Sequence, residues 1–361
     1  MPGGQPGWTP PPRPGLIPLR PLAFGTLLGA SFQVLRRNPR PTFGFSLLVT
    51  GVIYIVTLTL VGFVTFFAIS RTQFVTNQDD ADAIFAGSVG MILLSAIIPI
   101  GLSIVGSAIL QGIISMDVAR ATLGEKLRLP GLWRAARGRI GALIGWSGIV
   151  SFVVVIAVLL LAVIVGLLIA FGGVAGVVIG VLLGLLFGAG ALAVAAWLST
   201  KLALVPSILM LERLTLRNAI ARSWSLTGGF FWRTFGTLLL IAVIIQVASG
   251  IVSTPLQFIV GFGSTLLDPN NSQSGALVAI GIVYVLTVIF TVVFASIGAV
   301  VQAAAPALIY IDIRMRKEGL DLELGRFVEA RQAGDDSIQD PYLVKATSAA
   351  TAPAPSTSPW S

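Results

Sequence analysis

Three carboxylates are set apart by their spacing. Asp117, Glu212 and Asp312 close the segments Gln111-Gly-Ile-Ile-Ser-Met-Asp117, Pro206-Ser-Ile-Leu-Met-Leu-Glu212 and Pro306-Ala-Leu-Ile-Tyr-Ile-Asp312. Each sits six residues after a Gln or Pro, and the three are 95 and 100 residues apart. Arg120, Arg213 and Arg314 follow closely. Carboxylates can move protons or hold cations, but here they have little to work with. The chain has no His and no Cys. That removes imidazole acid–base chemistry, thiolate nucleophiles, disulfides and Cys/His metal sites. No catalytic residue, cofactor or metal is expected, and the chain is read as non-enzymatic. Each carboxylate stands where an apolar run meets charge, and unpaired charge at such a boundary is costly. The expected arrangement is therefore structural, an ion pair with a nearby arginine closing a helix end. A functional ring of three is the alternative.

The elements that position them are apolar. Of 361 residues, 55% are hydrophobic and 11% are charged, against about 25% charged in a soluble domain. Mean hydropathy is +0.94. A membrane-crossing helix needs about 20 apolar residues. Six runs qualify, at 43–70, 84–116, 140–171, 172–200, 235–262 and 276–311, and none contains Asp, Glu, Lys or Arg. The stretch 140–200 is too long for one span, and Phe171-Gly172-Gly173 marks the turn that divides it. The reading is an all-α integral membrane protein whose six transmembrane helices form three hairpins.

Charge alternates between the connections. Every basic residue except Arg71 lies in the N-terminal tail, after the second or fourth span, or in the C-terminal tail. The opposite loops carry Asp79, Asp80, Asp82 and Asp268. The positive-inside rule then puts both termini in the cytoplasm of a bacterial inner (cell) membrane. The net charge of +8 is accounted for by topology and by attraction to anionic headgroups. No nucleic-acid motif accompanies it, so no nucleic-acid partner is expected. Residues 1–20, rich in Pro and Gly, and 332–361, rich in Ala, Ser, Thr and Pro, read as disordered tails. The membrane domain between them covers 21–331.

A unit recurs three times, at about 21–120, 121–213 and 214–316. Besides the carboxylate, each unit has an aromatic twelve residues before a glycine: Phe32 and Gly44, Trp133 and Gly145, Trp224 and Gly236. These mark an amphipathic interfacial helix before each hairpin. In the first, Phe24, Leu27, Leu28, Phe32 and Leu35 share a stripe. In the third, Leu216, Ala219, Ile220 and Trp224 do. Arg36, Arg37, Arg134, Arg137, Arg222 and Arg233 lie in these lead-ins and are candidate contacts to lipid headgroups. Packing beneath the bundle is an equal reading. Gly172, Gly176, Gly180, Gly184 and Gly188 share one helical face, suited to close packing within the bundle or, alternatively, to a homodimer. Pro99, Pro206, Pro255 and Pro306 lie within or at the ends of spans, where prolines kink helices and free carbonyls.

Three segments carry a resemblance. They are Leu35-Arg-Arg-Asn-Pro-Arg-Pro-Thr-Phe-Gly44, the stretch from Glu212 through Arg222-Ser223-Trp224-Ser225-Leu226 to Trp232-Arg233-Thr234-Phe235-Gly236, and Leu308-Ile-Tyr-Ile-Asp-Ile-Arg-Met-Arg316 with Glu318-Gly-Leu-Asp-Leu-Glu323. Over roughly residues 20–330 the chain resembles the actinobacterial multi-pass proteins of the glycerophosphoryl diester phosphodiesterase membrane domain family. The resemblance implies a fold and a compartment. In that enzyme family a separate barrel hydrolyses the diester with paired His and metal-holding carboxylates. This chain has no His and no soluble segment long enough for a barrel, so no catalytic residue carries over. The expected function is a module of the inner membrane that organises lipids or a partner membrane protein. The rival is a permease or lipid transporter, which predicts a polar cavity between the repeats.

Overall fold

A computed structural model describes residues 15–72, 78–267, 273–335 and 338–343. Residues 1–14 and 344–361, the outer parts of the two tails, lie outside it. So do Asp268 and the side chains of Asp79, Asp80, Asp82 and Gln257. The described residues form helices and no strand: α1 (Phe24–Arg37), α2 (Phe45–Thr72), α3 (Gln78–Thr122), α4 (Leu129–Phe171), α5 (Gly173–Leu202), α6 (Val205–Leu211), α7 (Leu216–Thr227), α8 (Phe231–Leu267), α9 (Gln273–Glu318) and α10 (Leu320–Gln332). Six helical stretches are long and apolar enough to cross a membrane. The protein is an all-α, multi-pass membrane protein. Its spans pair as the hairpins α2–α3, α4–α5 and α8–α9.

Length explains the architecture. Helices α3, α4 and α9 have 45, 43 and 46 residues. At 1.5 Å per residue each runs about 65 Å, twice the roughly 30 Å of hydrocarbon. Their surplus turns project from the end that carries the basic loops. There they meet α1, α6, α7 and α10 in a compact crown. Its interior holds Ile113, Ile114, Val118, Leu132, Leu143, Ile208, Leu209, Leu308, Ile311, Leu320 and Leu324. Toward the opposite end apolar side chains face outward, among them Phe66, Phe152, Leu160, Leu185 and Val247. This division is physical. Water drives apolar burial in the crown, whereas lipid tails are as apolar as leucine and drive none.

The turn at 171–173 is tight. Gly173 adopts φ +55°, a left-handed conformation that glycine takes without steric cost. A Cβ on Gly172 or Gly176 would strike the Leu168 carbonyl oxygen, one on Gly180 would lie 3.1 Å from Ile169, and one on Gly184 would touch Val165. The first four glycines thus face α4 within their own hairpin, and Gly188 faces open space. Pro99, Pro255 and Pro306 lie inside continuous helices. Only Pro206 stands at a break, where it starts α6 after the turn at 203–204.

The three lead-ins take different forms. Helix α1 ends at Arg37 and passes through a π turn at Arg40–Gly44 into α2. The second lead-in is no separate helix but the first turns of α4, with Leu132, Ala136 and Ile140 buried. The third is α7. The buried face of α1 is Leu27, Ala30, Ser31 and Val34. Leu28, Phe32 and Leu35 are half-buried against Ile241, Val301 and Ala305, and Phe24 is exposed. In α7 Ala219 is buried with Ser223 and Leu226, while Trp224 faces out. Each exit packs on a lead-in: α3 on α4, α6 on α7, and α9 on α1. The last pair closes the series into a ring.

Two tail segments differ from the expected disorder. Residues 15–22 lie across the crown, with Ile17 and Leu22 buried and the Leu16 N–H donating to the Ala121 carbonyl at 2.9 Å. Residues 338–343 return to the end of α3, and Tyr342 is fully buried there. The apolar run Tyr342-Leu343-Val344 is too short to show a periodicity that would announce it.

Candidate functional site

The three repeat carboxylates are all buried in the crown. Asp312 anchors the ring closure. Arg316, one turn on, brings its Nε within 3.1 Å, and Arg233 Nη2 lies 3.0 Å away. The Leu22 N–H donates to Asp312 Oδ1 at 2.7 Å. Both arginines also donate to the Leu22 carbonyl. One peptide segment is therefore gripped on both polar groups by the lead-in and the exit of the third repeat.

Glu212 sits at the centre of a second network. Arg222 Nε donates to both of its oxygens, at 2.9 and 3.2 Å. The Tyr310 hydroxyl donates to Oε1 at 2.7 Å. Arg314, nearly buried, donates to Tyr310 Oη at 2.9 Å, to Glu318 at 2.8 Å and to the Tyr342 carbonyl at 3.1 Å. Glu318 in turn pairs with Arg222 at 2.8 Å. Burial works against the Arg222 cation, but the hydrogen bond and charge of Glu212 outweigh it and hold its pKa above the ordinary value. The next residue, Arg213, takes φ 56°, which is uncommon for a side-chain-bearing residue. That turns its carbonyl toward Arg139, which also donates to the Leu214 carbonyl at 3.3 Å.

Asp117 makes no ion pair among the described residues. Asn38 Nδ2 bridges it at 2.9 Å to the Leu127 carbonyl at 3.0 Å. Arg37 acts only through space. Burial lowers its pKa, the charge of Asp117 raises it, and its Nε has no hydrogen-bond partner. The three carboxylates thus occupy equivalent positions with unequal partners.

The six candidate headgroup arginines divide the same way. Arg222 and Arg233 are committed to Glu212, Glu318 and Asp312. Arg37 is half-buried. Arg36, Arg134 and Arg137 are exposed and make no ion pair with the described residues, and Arg40 joins them. Around the same level stand exposed Trp133, Trp197, Trp224 and Trp232. Lys201 lies over the Trp224 ring at 5.4 Å, and Trp197 meets Trp224 edge-on at 5.2 Å. Tryptophan and lysine collect at membrane–water boundaries.

The C-terminal strap was not legible as a site. The Tyr342 hydroxyl bonds Thr122 and, at 3.2 Å, the Ala119 carbonyl. Asp340 pairs with Arg120 at 2.6 Å. Burial pushes the Tyr342 pKa above the tyrosine range. The docked phenol therefore stays protonated while a released one ionises near pH 10. Docking is full below about pH 10 and weakens as pH rises toward the raised value. Ultraviolet titration of native protein and Tyr342→Ala should differ by one tyrosine that ionises above the ordinary range, and limited trypsin digestion after Lys345 and Arg331 at neutral pH should accelerate in Tyr342→Ala. Loss of a buried aromatic costs about 3–5 kcal/mol. The strap can undock alone, so the spans should unfold at an almost unchanged temperature.

A separate cavity of about 230 Å³ lies between the first and third hairpins. Tyr54 of α2, Ser249, Val252 and Ser253 of α8, and Phe290, Thr291, Phe294 and Ala295 of α9 line it. A buried hydrogen bond from Ser46 Oγ to the Ser296 carbonyl at 2.9 Å ties α2 to α9 beside it.

Comparison with known proteins finds no matching family, no matching curated protein and no matching solved structure.

Proposed function

We propose that this protein is a non-enzymatic module of the bacterial inner membrane that gathers anionic lipid at its basic, cytoplasmic face. The observation that carries the reading is the division of its arginines. Those that the carboxylates need are inside the crown, and Arg36, Arg40, Arg134 and Arg137 are left exposed without acidic partners among the described residues. Exposed tryptophans stand with them. Headgroup phosphate is the counter-charge available at that level, and each basic residue near an anionic surface contributes about 1 kcal/mol. The likeness of the lead-in segments to the glycerophosphoryl diester phosphodiesterase membrane domain family supports the same compartment.

The test is a triple variant, Arg36→Gln, Arg134→Gln and Arg137→Gln, in nanodiscs of mixed phosphatidylcholine and phosphatidylglycerol. Mass spectrometry of retained lipid should show anionic enrichment around the native protein. The variant should lose most of it, by at least tenfold given about 1 kcal/mol per charge. Unchanged enrichment around a folded variant would remove the reading. The transporter alternative draws support from one observation, the hydroxyl-lined cavity between repeats. It requires flux of a lipid or solute in reconstituted vesicles.

A further inference from the structure

The cavity between α2, α8 and α9 contains polar groups without an evident purpose. Tyr54 lies eight residues beyond Ser46 on α2, two helical turns farther into the span. Its hydroxyl makes no hydrogen bond with the described residues, and neither does Ser249. Ser253 reaches only the Gly250 carbonyl, at 3.4 Å. Thr291 is satisfied by the Thr287 carbonyl at 2.8 Å and keeps its lone pairs free. The cavity therefore offers hydroxyl donors from two helices toward one space. Uncompensated hydroxyls are costly away from water, so the space calls for an acceptor.

The rest of the lining says what kind. The runs 43–70, 235–262 and 276–311 contain no charged residue. A phosphate or ammonium group would have no counter-charge here, and burying an unpaired ion is prohibitive. Phe290, Phe294, Val252 and Ala295 supply an apolar wall. The volume falls below the roughly 300–1,000 Å³ of sites that enclose drug-sized ligands. It suits the head of a molecule whose chains remain in the bilayer.

We infer that this cavity binds the uncharged, carbonyl-bearing head of a lipid, with Tyr54 and Ser249 donating to the carbonyl oxygen. Two sources share that chemistry: the ester carbonyls of a diacylglycerol and the ring carbonyls of an isoprenoid quinone. The inference stands apart from the headgroup reading, which concerns anionic lipid at the basic end, and it does not require transport.

The full chain in phosphatidylcholine nanodiscs is irradiated with one of three diazirine probes: a diacylglycerol, an isoprenoid quinone, or phosphatidylcholine as reference. Mass spectrometry then locates the label. One neutral probe should label the helices around Tyr54, Ser249 and Phe290, and the same unlabelled lipid should compete it away. The probe that succeeds identifies the source. Tyr54→Phe keeps the ring and removes only the hydroxyl. It should lower that labelling about fivefold, the value of one hydrogen bond. Ala295→Phe fills the cavity and should abolish it, with phosphatidylcholine labelling unchanged. If Ala295→Phe does not fold, Tyr54→Phe alone decides. Equal labelling by all three probes would overturn the inference. So would labelling indifferent to both variants, or a cavity that no probe enters and only water fills.

Discussion

Glu212→Ala should destabilise the protein by about 3–5 kcal/mol, the range for removing one partner from a buried charged network. The reason lies in what the carboxylate leaves behind. Its side chain is inaccessible, and it accepts from Arg222 and Tyr310 at once. Without it, Tyr310 loses its acceptor in a fully buried position, and Arg314 keeps only Glu318 as a nearby anion. Arg222→Gln should cost less, because Tyr310 and Arg314 would still face the carboxylate and Arg222 itself is partly solvated. Thermal unfolding in mild detergent, followed by tryptophan fluorescence, separates the two variants. A Glu212→Ala protein that unfolds within about 1 kcal/mol of native would show that the carboxylate is not held for stability. The functional-ring reading would then revive.

Asp312→Ala should be comparable in size, at about 3–5 kcal/mol, but with a different signature. The carboxylate holds Arg233, Arg316 and the Leu22 N–H together. Its loss sets two cations side by side with no anion and frees the segment 15–22. The Leu22 amide, which donates to Asp312 in the native protein, should then exchange its hydrogen far faster. Arg316→Gln leaves Arg233 and the amide contact in place and should speed that exchange far less. Exchange at Leu22 that is equally slow in Asp312→Ala and native protein would show that the clamp does not hold the segment.

Legibility followed the range of the interactions. The six spans were plain because a charge-free run of over 20 residues has few other fates. The turn at Gly172-Gly173 was plain for the same reason, together with glycine's access to left-handed φ. Arg316 and Glu318, each four residues from a partner, carry a helical signal that a pairwise scan finds. The rest is long-range. Nothing in the sequence ties Asn38 to Asp117, Arg222 to Glu318 or Leu22 to Asp312, because helix packing sets those distances. The amphipathic stripe of α1 was read about one position away from its buried face. Two neighbours, α8 and α9, compete for that helix, and a single-stripe reading assumes one. Tyr342 illustrates the extreme: one aromatic in a three-residue apolar run of the tail, placed by a pocket that α3, α4, α6 and α9 build.

The closure of the ring by its two ends has a consequence for how the chain is made. Leu22 meets Asp312 across 290 positions, and α1 lies chiefly on α9. A chain emerging from the ribosome has its first helix early and that helix's dock last. Throughout the insertion of six spans, α1 must remain without its resting place, with Leu27, Ala30 and Val34 uncovered. The hairpins can form in order as they emerge, but the crown can assemble only after Arg316 has left the exit tunnel. A truncation short of that point would keep its spans and lose the clasp on Leu22.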